Sequence, residues 1–310
     1  MPRVVSLLPS TTEIACALGF GEALVGRSHE CDFPAGVESL PVLTAAKLDA
    51  QASSRAIDER VKELVGRGLS VYEVDAERLR ALAPDVVLTQ THCEVCAASR
   101  SDVEAALADW LGAKPSVVSL EPASLGDVWE SFEQVARALG APERGRALAA
   151  EATERISALG ERAGAAAQAA GRPRVACIEW IDPLMAAGNW VPELVSIAGG
   201  EPVFGRPGEH SPWIDLEALA RSDSDMAVVM PCGFDLARTR TEMAPLAARE
   251  DFQTLRCVRE SRTYLTDGHQ FFNRPGPRLL ESLEILCELT HPQAFGAAHR
   301  GSAWEALPGD

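Results

Sequence analysis

Residues 3–13 read Arg3-Val4-Val5-Ser6-Leu7-Leu8-Pro9-Ser10-Thr11-Thr12-Glu13, and this stretch decides the fold. An apolar run typical of a buried strand stops at Pro9, and Ser10 or Thr11 is placed to cap a helix that follows. The same order recurs in the second half, where residues 174–180 form a strand-like run and Pro192 lies just inside a predicted helix. Two such units predict two α/β lobes with a ligand held between them.

The composition is that of a soluble globular protein, with 310 residues of which 46% are hydrophobic. The formal net charge of -16 argues against nucleic acid or an anionic membrane as the main partner, since both need a concentrated basic patch. No run approaches the ~20 apolar residues of a membrane span, so membrane insertion is not expected. We expect a monomer.

The first strand-like run begins two residues after Met1, which leaves no room for a secretory leader. This start predicts a cytoplasmic protein. A chain from which a leader had been removed would begin in the same way and would be periplasmic.

Strands and helices alternate through the first half, as a parallel sheet with crossover helices requires. The fold class predicted is α/β, with two Rossmann-like lobes that contain parallel sheets and are joined by a single long α-helix. That helix is expected over about Leu125 to Ala170, because apolar residues recur at helical spacing and only Gly140-Ala141-Pro142 interrupts them. The predicted domains are an N-terminal lobe at 1–123, the interlobe helix at 124–172, a C-terminal lobe at 173–292 and an irregular tail at 293–310.

The individual elements follow from apolar periodicity and turn residues. Strands are predicted at Val4 to Leu8, Ala23 to Arg27, Leu69 to Val74, Val86 to Thr89, Ser116 to Leu120, Val175 to Trp180, Met226 to Met230 and Thr263 to Thr266. Shorter helices are predicted at Thr12 to Leu18, Ile57 to Val65, Ala76 to Leu82, Asp102 to Leu111, Trp190 to Ala198, Leu216 to Arg221 and Pro277 to Leu289.

Imidazole, thiol and aromatic side chains follow the predicted strands. In open α/β sheets ligands bind outside the carboxyl ends of the strands, so these side chains are candidates for ligand contact. In the first lobe the candidates are Ser10, His29 and His92, and in the second they are Trp180, Trp190, Trp213, Cys232, His269, Phe271 and Arg274. Aromatic rings at strand ends and in loops are costly unless something covers them, which favours a ligand over simple core packing.

The pair Cys93 and Cys96 has three interpretations. With His29 and Cys31 it would complete a zinc site if the two loops meet. At a helix N-terminus it would be a redox pair with a lowered thiol pKa. The third interpretation is a reduced pair packed at a loop, without chemistry.

Several motifs together carry a likeness to a known family. They are Ser6-Leu7-Leu8-Pro9-Ser10-Thr11-Thr12-Glu13, Leu82-Ala83-Pro84-Asp85-Val86-Val87, Gly188-Asn189-Trp190, Ser211-Pro212-Trp213 and Asn273-Arg274-Pro275-Gly276-Pro277-Arg278. In this order they resemble the class III periplasmic binding proteins, which deliver vitamin B12, haem and ferric siderophores to ABC importers. The segments His29-Glu30-Cys31-Asp32 and Cys93-Glu94-Val95-Cys96 are most similar to leaderless cobalamin-binding proteins.

This resemblance implies two lobes bridged by a rigid helix, with a corrinoid held edge-on in the cleft between them. The cleft would be lined by Ser10, His92, Trp180 to Ala187, Trp190, Trp213 and Phe271 to Arg274. Members that serve an importer present one acid on each lobe for docking. Here Asp102 and Glu217 fall near those positions.

The leading hypothesis is a non-enzymatic binding protein for cobalamin or a related corrinoid, with an ABC importer as a partner. A corrin ring is a largely apolar disc fringed with amides, which suits stacked aromatic rings and a few polar groups. Haem is the nearest alternative, and its propionates would favour Arg274 and Arg278. A zinc-binding or metal-sensing module is a second class of function and a thiol redox enzyme the third. Catalysis ranks last, because no catalytic triad, phosphate loop or carboxylate pair stands at a persuasive spacing.

Overall fold

The computed structural model describes residues 1–67, 69–90, 99–108, 110 and 114–308. The chain divides into two compact units. The first contains Met1–Ala52, Ala56–Pro122 and Gly126–Ala152, and the second contains Ser53–Arg55, Ala123–Leu125 and Thr153–Asp310.

The first unit is built on a parallel sheet with the strand order β2-β1-β5-β6. The strands of this unit are β1 (Val4–Ser6), β2 (Leu24–Arg27), β3 (Thr44–Ala46), β4 (Tyr72–Val74), β5 (Val86–Gln90) and β6 (Ser116–Leu120). Its shorter helices are α1 (Pro9–Ala17), α2 (Ser54–Gly66), α3 (Ala76–Leu82) and α4 (Arg100–Ala106), with 3₁₀ turns at Gly21–Ala23 and Val37–Ser39. Strand β4 pairs antiparallel with β3 in a separate small sheet, so the predicted Leu69 to Val74 strand does not join the parallel one.

The first helix starts earlier than the sequence predicted. It begins at Pro9, and the preceding Leu8 makes no side-chain cap. A proline suits the first helical position, because its missing N–H would have no partner there. Ser10 and Thr11 are therefore buried inside the first turn rather than placed as caps.

The predicted single helix over 125–170 is two helices, α5 (Leu125–Ala138) and α6 (Pro142–Ala170). Gly140 has a φ of 77°, a conformation that favours glycine and ends helices, and Pro142 then opens the next one. Helix α6 alone is 29 residues long, so a long helix is confirmed with a later start. Its residues up to Ala152 belong to the first unit, and those from Thr153 onward belong to the second.

The second unit contains a mixed sheet with the order β12-β11-β10-β7-β8, and β9 pairs with β7. Its strands are β7 (Arg174–Trp180), β8 (Met185–Ala186), β9 (Glu201–Pro202), β10 (Met226–Val229), β11 (Thr263–Thr266) and β12 (Trp304–Ala306). Its helices are α7 (Val191–Ile197), α8 (Leu216–Arg221), α9 (Leu236–Ala247), α10 (Glu250–Gln253), α11 (Arg256–Arg259), α12 (Leu279–Thr290) and α13 (Pro292–Phe295). The central strands β7, β10 and β11 are parallel as predicted, whereas β8 and β12 run antiparallel to their neighbours.

None of the helices in the described ranges combines the length and the apolar character needed to cross a bilayer.

The described part of the predicted irregular tail, residues 293–308, contains the end of helix α13 and strand β12. Strand β12 completes the sheet edge beside β11, and Trp304 packs edge-on against Tyr264 with ring centroids 5.6 Å apart. The buried carboxylate of Glu288 accepts hydrogen bonds from the Trp304 Nε1–H at 2.8 Å, from the Ala298 N–H at 2.9 Å and from the His299 N–H. His299 Nδ1 lies 2.8 Å from the same carboxylate. The Glu288 carboxylate on α12 therefore anchors residues 298–304.

Replacing Glu288 by alanine should lower the free energy of unfolding by at least about 2 kcal/mol, because the buried Trp304 Nε1–H and two backbone N–H groups lose their acceptor together. Urea denaturation would measure the change, and hydrogen exchange should show faster exchange in β12. The matched control is Glu284→Gln, since Glu284 lies 3.7 Å from His299 Nε2 but is one-third exposed. Equal stability of Glu288→Ala and Glu284→Gln would contradict this role.

Candidate functional site

The carboxyl ends of β1 and β2 bring two of the predicted site loops together. The Ser28 N–H donates to the Ser6 carbonyl at 2.9 Å, so the loop after β2 begins directly beside the end of β1. Thr12 Oγ1 in α1 donates to Cys31 Sγ at 3.1 Å. The predicted convergence of the Ser10 and His29 segments at this edge is therefore present.

Ser10 is 2% exposed, and the hydroxyls beside it serve the fold. Thr11 Oγ1 and Thr12 Oγ1 lie 2.7 and 2.8 Å from Ser6 Oγ, which ties the first turn of α1 to β1. The Thr11 and Thr12 hydroxyls are therefore already engaged within the first unit.

His29 is half-buried, and one of its ring nitrogens is already engaged. Nδ1 lies 2.8 Å from Thr44 Oγ1, and the ring is tilted against Tyr72 at 5.7 Å between centroids. Burial lowers the pKa of the imidazole, and repulsion from the Arg27 guanidinium adds to that effect. His29 therefore favours its neutral form, and Nε2 is the nitrogen that could meet a ligand or a metal.

Arg27 holds the His29 loop in shape. Its guanidinium donates to the Ser28 carbonyl and to the Cys31 carbonyl, each at 3.0 Å, and also to the Glu38 carbonyl. The sequence analysis did not single out this residue, because an arginine at the end of a strand carries no motif.

The zinc hypothesis finds no support in the described ranges. His, Cys, Asp and Glu side chains do not gather there in groups of three that could hold a metal. Cys31 is 1% exposed and accepts a hydrogen bond, so its thiol is not presented to solvent. The other proposed ligands, Cys93 and Cys96, lie with His92 outside the described residues.

In the second unit, the loops after β7, β10 and β11 meet at one edge of the sheet. The Cys232 N–H donates to the Glu179 carbonyl at 3.2 Å, and the His269 N–H donates to the Phe234 carbonyl at 3.0 Å. Asn273 Nδ2 donates at 2.9 Å to the carbonyls of Met230 and Gly268 and fastens the third loop to the second. The loops that carry Trp180, Cys232, His269, Phe271 and Arg274 therefore meet at this edge.

Gly268 permits this close approach. A Cβ at this position would lie 2.2 Å from the Pro231 carbonyl oxygen and 2.7 Å from the Met230 carbonyl carbon. Both atoms belong to the backbone, which cannot move aside cheaply, so only glycine fits where the loops after β10 and β11 meet.

Trp180, Met185 and Trp213 form a strip across neighbouring strands, which we call the tryptophan strip. Trp180 opposes Met185 in the β7–β8 ladder, and Met185 opposes Trp213 in an isolated antiparallel bridge. Residues directly opposite in antiparallel pairs project from the same face. The outer tryptophans are about 10 Å apart, which is two strand spacings. Trp213 is 53% exposed, an unusual exposure for so large a ring.

The inner end of the tryptophan strip is held in place. Trp180 Nε1 donates to the Ser54 carbonyl of the same unit at 3.2 Å, and its ring packs on the buried Phe234 at 5.2 Å. A ring whose polar edge and one side are already engaged is a rigid platform for a flat partner.

Trp190 has a different environment from the other predicted tryptophans. It is 6% exposed at the start of α7, and its Nε1–H donates to the Phe272 carbonyl at 2.7 Å. The structure gives this ring a packing role that supports the loop after β11.

Two arginines lie buried beside the predicted Phe271. Arg274 is 6% exposed and lies 2.9 Å from His269 Nε2. Arg278 is equally buried, donates to Gln270 Oε1 at 3.1 Å, and has its guanidinium carbon 5.6 Å from the centre of the Phe271 ring. Both guanidinium groups are therefore engaged with polar side chains of the same segment.

Two acids lie at the same edge, the buried Asp267 and the half-buried Glu179. Burial raises the pKa of Asp267. The Gln270 N–H, which donates to its carboxylate at 2.8 Å, and the nearby His269 lower this pKa by less than burial raises it. Burial also raises the pKa of Glu179. The Ser211 hydroxyl, the Gly188 N–H and His210 lower this pKa by less than burial raises it. Both carboxylates therefore favour a partner that carries hydrogen-bond donors.

The sequence analysis missed Glu179 and Ser211 as site residues, and it included Met185 only within the range Trp180 to Ala187. Glu179 lies inside a strand-like run, and Met185 pairs through a strand only two residues long. The sequence did contain a signal for Ser211, because this residue opens the motif Ser211-Pro212-Trp213.

The chain is similar in sequence to a known protein family and to individual proteins. Residues 4–269 match the profile of the family described as "Periplasmic binding protein". The chain is 25% identical over 287 residues to a vitamin B12-binding protein of Pectobacterium carotovorum subsp. carotovorum (strain PC1), covering 92% of this chain and 87% of that one. It is 22% identical over 298 residues to an uncharacterized ABC transporter substrate-binding lipoprotein of Bacillus subtilis (strain 168), covering 94% and 81%.

Among solved structures, the chain is similar to a periplasmic haem-binding protein from Pseudomonas aeruginosa. The TM-score is 0.72 with 20% sequence identity, over 95% of this chain and 94% of the other. At that identity the likeness concerns the fold.

Proposed function

The chain belongs to the periplasmic binding protein family, and from that premise we propose that it binds cobalamin or a related corrinoid as the substrate-binding component of an ABC importer. A family of substrate-binding proteins also supports a role in binding rather than in catalysis.

The tryptophan strip is the observation that carries this proposal. A half-exposed Trp213 and a rigidly held Trp180, with Met185 between them, offer apolar surface at the carboxyl edge of the sheet, where open α/β folds bind ligands. Met185 between them adds a polarizable thioether that adapts to an irregular ring surface. A corrin disc matches such a strip, and the likeness to a vitamin B12-binding protein agrees with it.

Haem is the second candidate, and Arg274 with Arg278 is the observation that favours it. Buried guanidinium groups near Phe271 would suit the two propionates of haem, which prefer bidentate cationic partners. The fold is similar to that of a haem-binding protein, so the ligand must be decided by experiment.

The cytoplasmic location predicted from the start of the chain finds no support in these comparisons. The family is described as periplasmic, and one relative is a lipoprotein. We propose a location outside the cytoplasmic membrane, where an importer would receive the ligand.

Parallel absorbance titrations with cyanocobalamin and with haemin test the choice of ligand. We expect cyanocobalamin to bind with a dissociation constant of about 1 µM or lower, equivalent to roughly 8 kcal/mol, and haemin to bind at least about tenfold more weakly. Tighter binding of haemin would overturn the corrinoid assignment in favour of the second candidate.

A further inference from the structure

Glu179 stands out in the second unit because it is the extra residue of a β-bulge. Ile178 pairs with Ala186, but Trp180 pairs with Met185, so two residues of β7 face one residue of β8 at this point. Bulges next to binding sites commonly re-aim a side chain. Here the bulge lies beside the tryptophan strip, at the carboxyl end of the strand.

The Glu179 carboxylate is oriented by a neutral donor. Ser211 Oγ donates to Oε2 at 2.9 Å, and the Gly188 N–H in turn donates to Ser211 Oγ at 3.1 Å. Ser211 is 3% exposed, so this support is rigid. Glu179 itself is half-buried and keeps part of its surface open.

Within the described ranges, no arginine or lysine forms an ion pair with Glu179, whose carboxylate accepts its hydrogen bond from the neutral Ser211 hydroxyl. A carboxylate withdrawn from water without a bonded cation is costly, and N–H donors from a ligand would offset that cost. A ligand carboxylate placed here would instead meet a like charge.

We propose that Glu179 selects ligands that carry N–H donors, such as the peripheral carboxamides of a corrinoid, over ligands that carry carboxylates at the same place. This selection rests on the proposed function, because it assigns the amide fringe of the ring to the bulge beside the tryptophan strip. It also separates the two candidate ligands, since haem carries propionates in place of amides.

The test uses two corrinoids of similar size and opposite fringe chemistry. Dicyanocobinamide carries carboxamides, and dicyanocobyrinic acid carries carboxylates at those positions. We expect the wild-type chain to prefer the amide form by at least about 30-fold in absorbance titrations. Glu179→Gln should reduce that preference about tenfold, chiefly because dicyanocobyrinic acid binds more tightly to the variant. Glutamine keeps a hydrogen-bond acceptor at this position but loses the negative charge.

Glu209→Gln is the matched control. Glu209 is an exposed acid in the same unit, so its substitution removes the same charge without touching the bulge and should leave the preference unchanged. Should Glu179→Gln fail to fold, Ser211→Ala removes the group that orients Glu179 and is expected to reduce the preference at least threefold.

The possible outcomes distinguish the claim that the chain binds a corrinoid from the claim that Glu179 selects for carboxamides. Wild-type binding of both corrinoids with a preference that neither Glu179→Gln nor Ser211→Ala changes would overturn the role of Glu179 and leave corrinoid binding intact. Failure of the wild-type chain to bind either corrinoid would overturn both.

Discussion

Trp213→Ala is expected to weaken cyanocobalamin binding by about 2 kcal/mol, or roughly 30-fold, while leaving the stability of the chain nearly unchanged. The ring is 53% exposed, so little packing within the protein depends on it, whereas a stacked ligand would lose one side of its platform. Calorimetric titration would give the affinity, and urea denaturation would give the free energy of unfolding.

The control for this prediction is Phe33→Ala. Phe33 is an exposed aromatic ring at 42% exposure that belongs to the first unit and is not a member of the tryptophan strip, so its loss should not affect binding. If Trp213→Ala binds cyanocobalamin as tightly as Phe33→Ala does, the tryptophan strip is not the ligand platform.

Trp190→Ala is expected to lower the free energy of unfolding by about 3 to 5 kcal/mol, the range for truncating a large buried aromatic residue. The substitution opens a cavity at the start of α7 and leaves the Phe272 carbonyl without its donor. Chemical denaturation would measure the loss, and any loss of ligand affinity should follow from unfolding.

Trp190→Phe separates the two contributions of the ring. It keeps much of the packing but removes the hydrogen bond, so we expect a loss of about 1 to 3 kcal/mol. A Trp190→Ala chain with wild-type stability and weakened binding would show that Trp190 is a direct ligand contact, contrary to its burial.

The sequence predicted best those elements whose signals are local. The bounds of α3 and α8 agree with the prediction, and each helix is preceded by an aspartate that caps it through the N–H three residues on. Apolar runs likewise located the central strands β7, β10 and β11, because strands buried on both faces read as continuous hydrophobic segments.

Prediction was poorer where structure depends on distant partners. Strands β8, β9 and β12 are only two or three residues long, and each exists because it pairs with a neighbour. Helix α9 went unpredicted because Pro245 lies inside its pattern.

For the candidate site, the loops were predictable and the roles within them were not. Strand-end positions pointed to Trp180, Trp190 and Trp213 alike, yet burial distinguishes a packed Trp190 from an exposed Trp213. Sequence spacing does not reveal which face a loop residue takes, and it could not reveal the register shift at Glu179.

Titration calorimetry of the intact chain with cyanocobalamin tests the central claim most directly. The account predicts one corrinoid per chain with a dissociation constant of about 1 µM or lower. No heat of binding, together with no co-elution of the corrinoid with the protein on gel filtration, would contradict it.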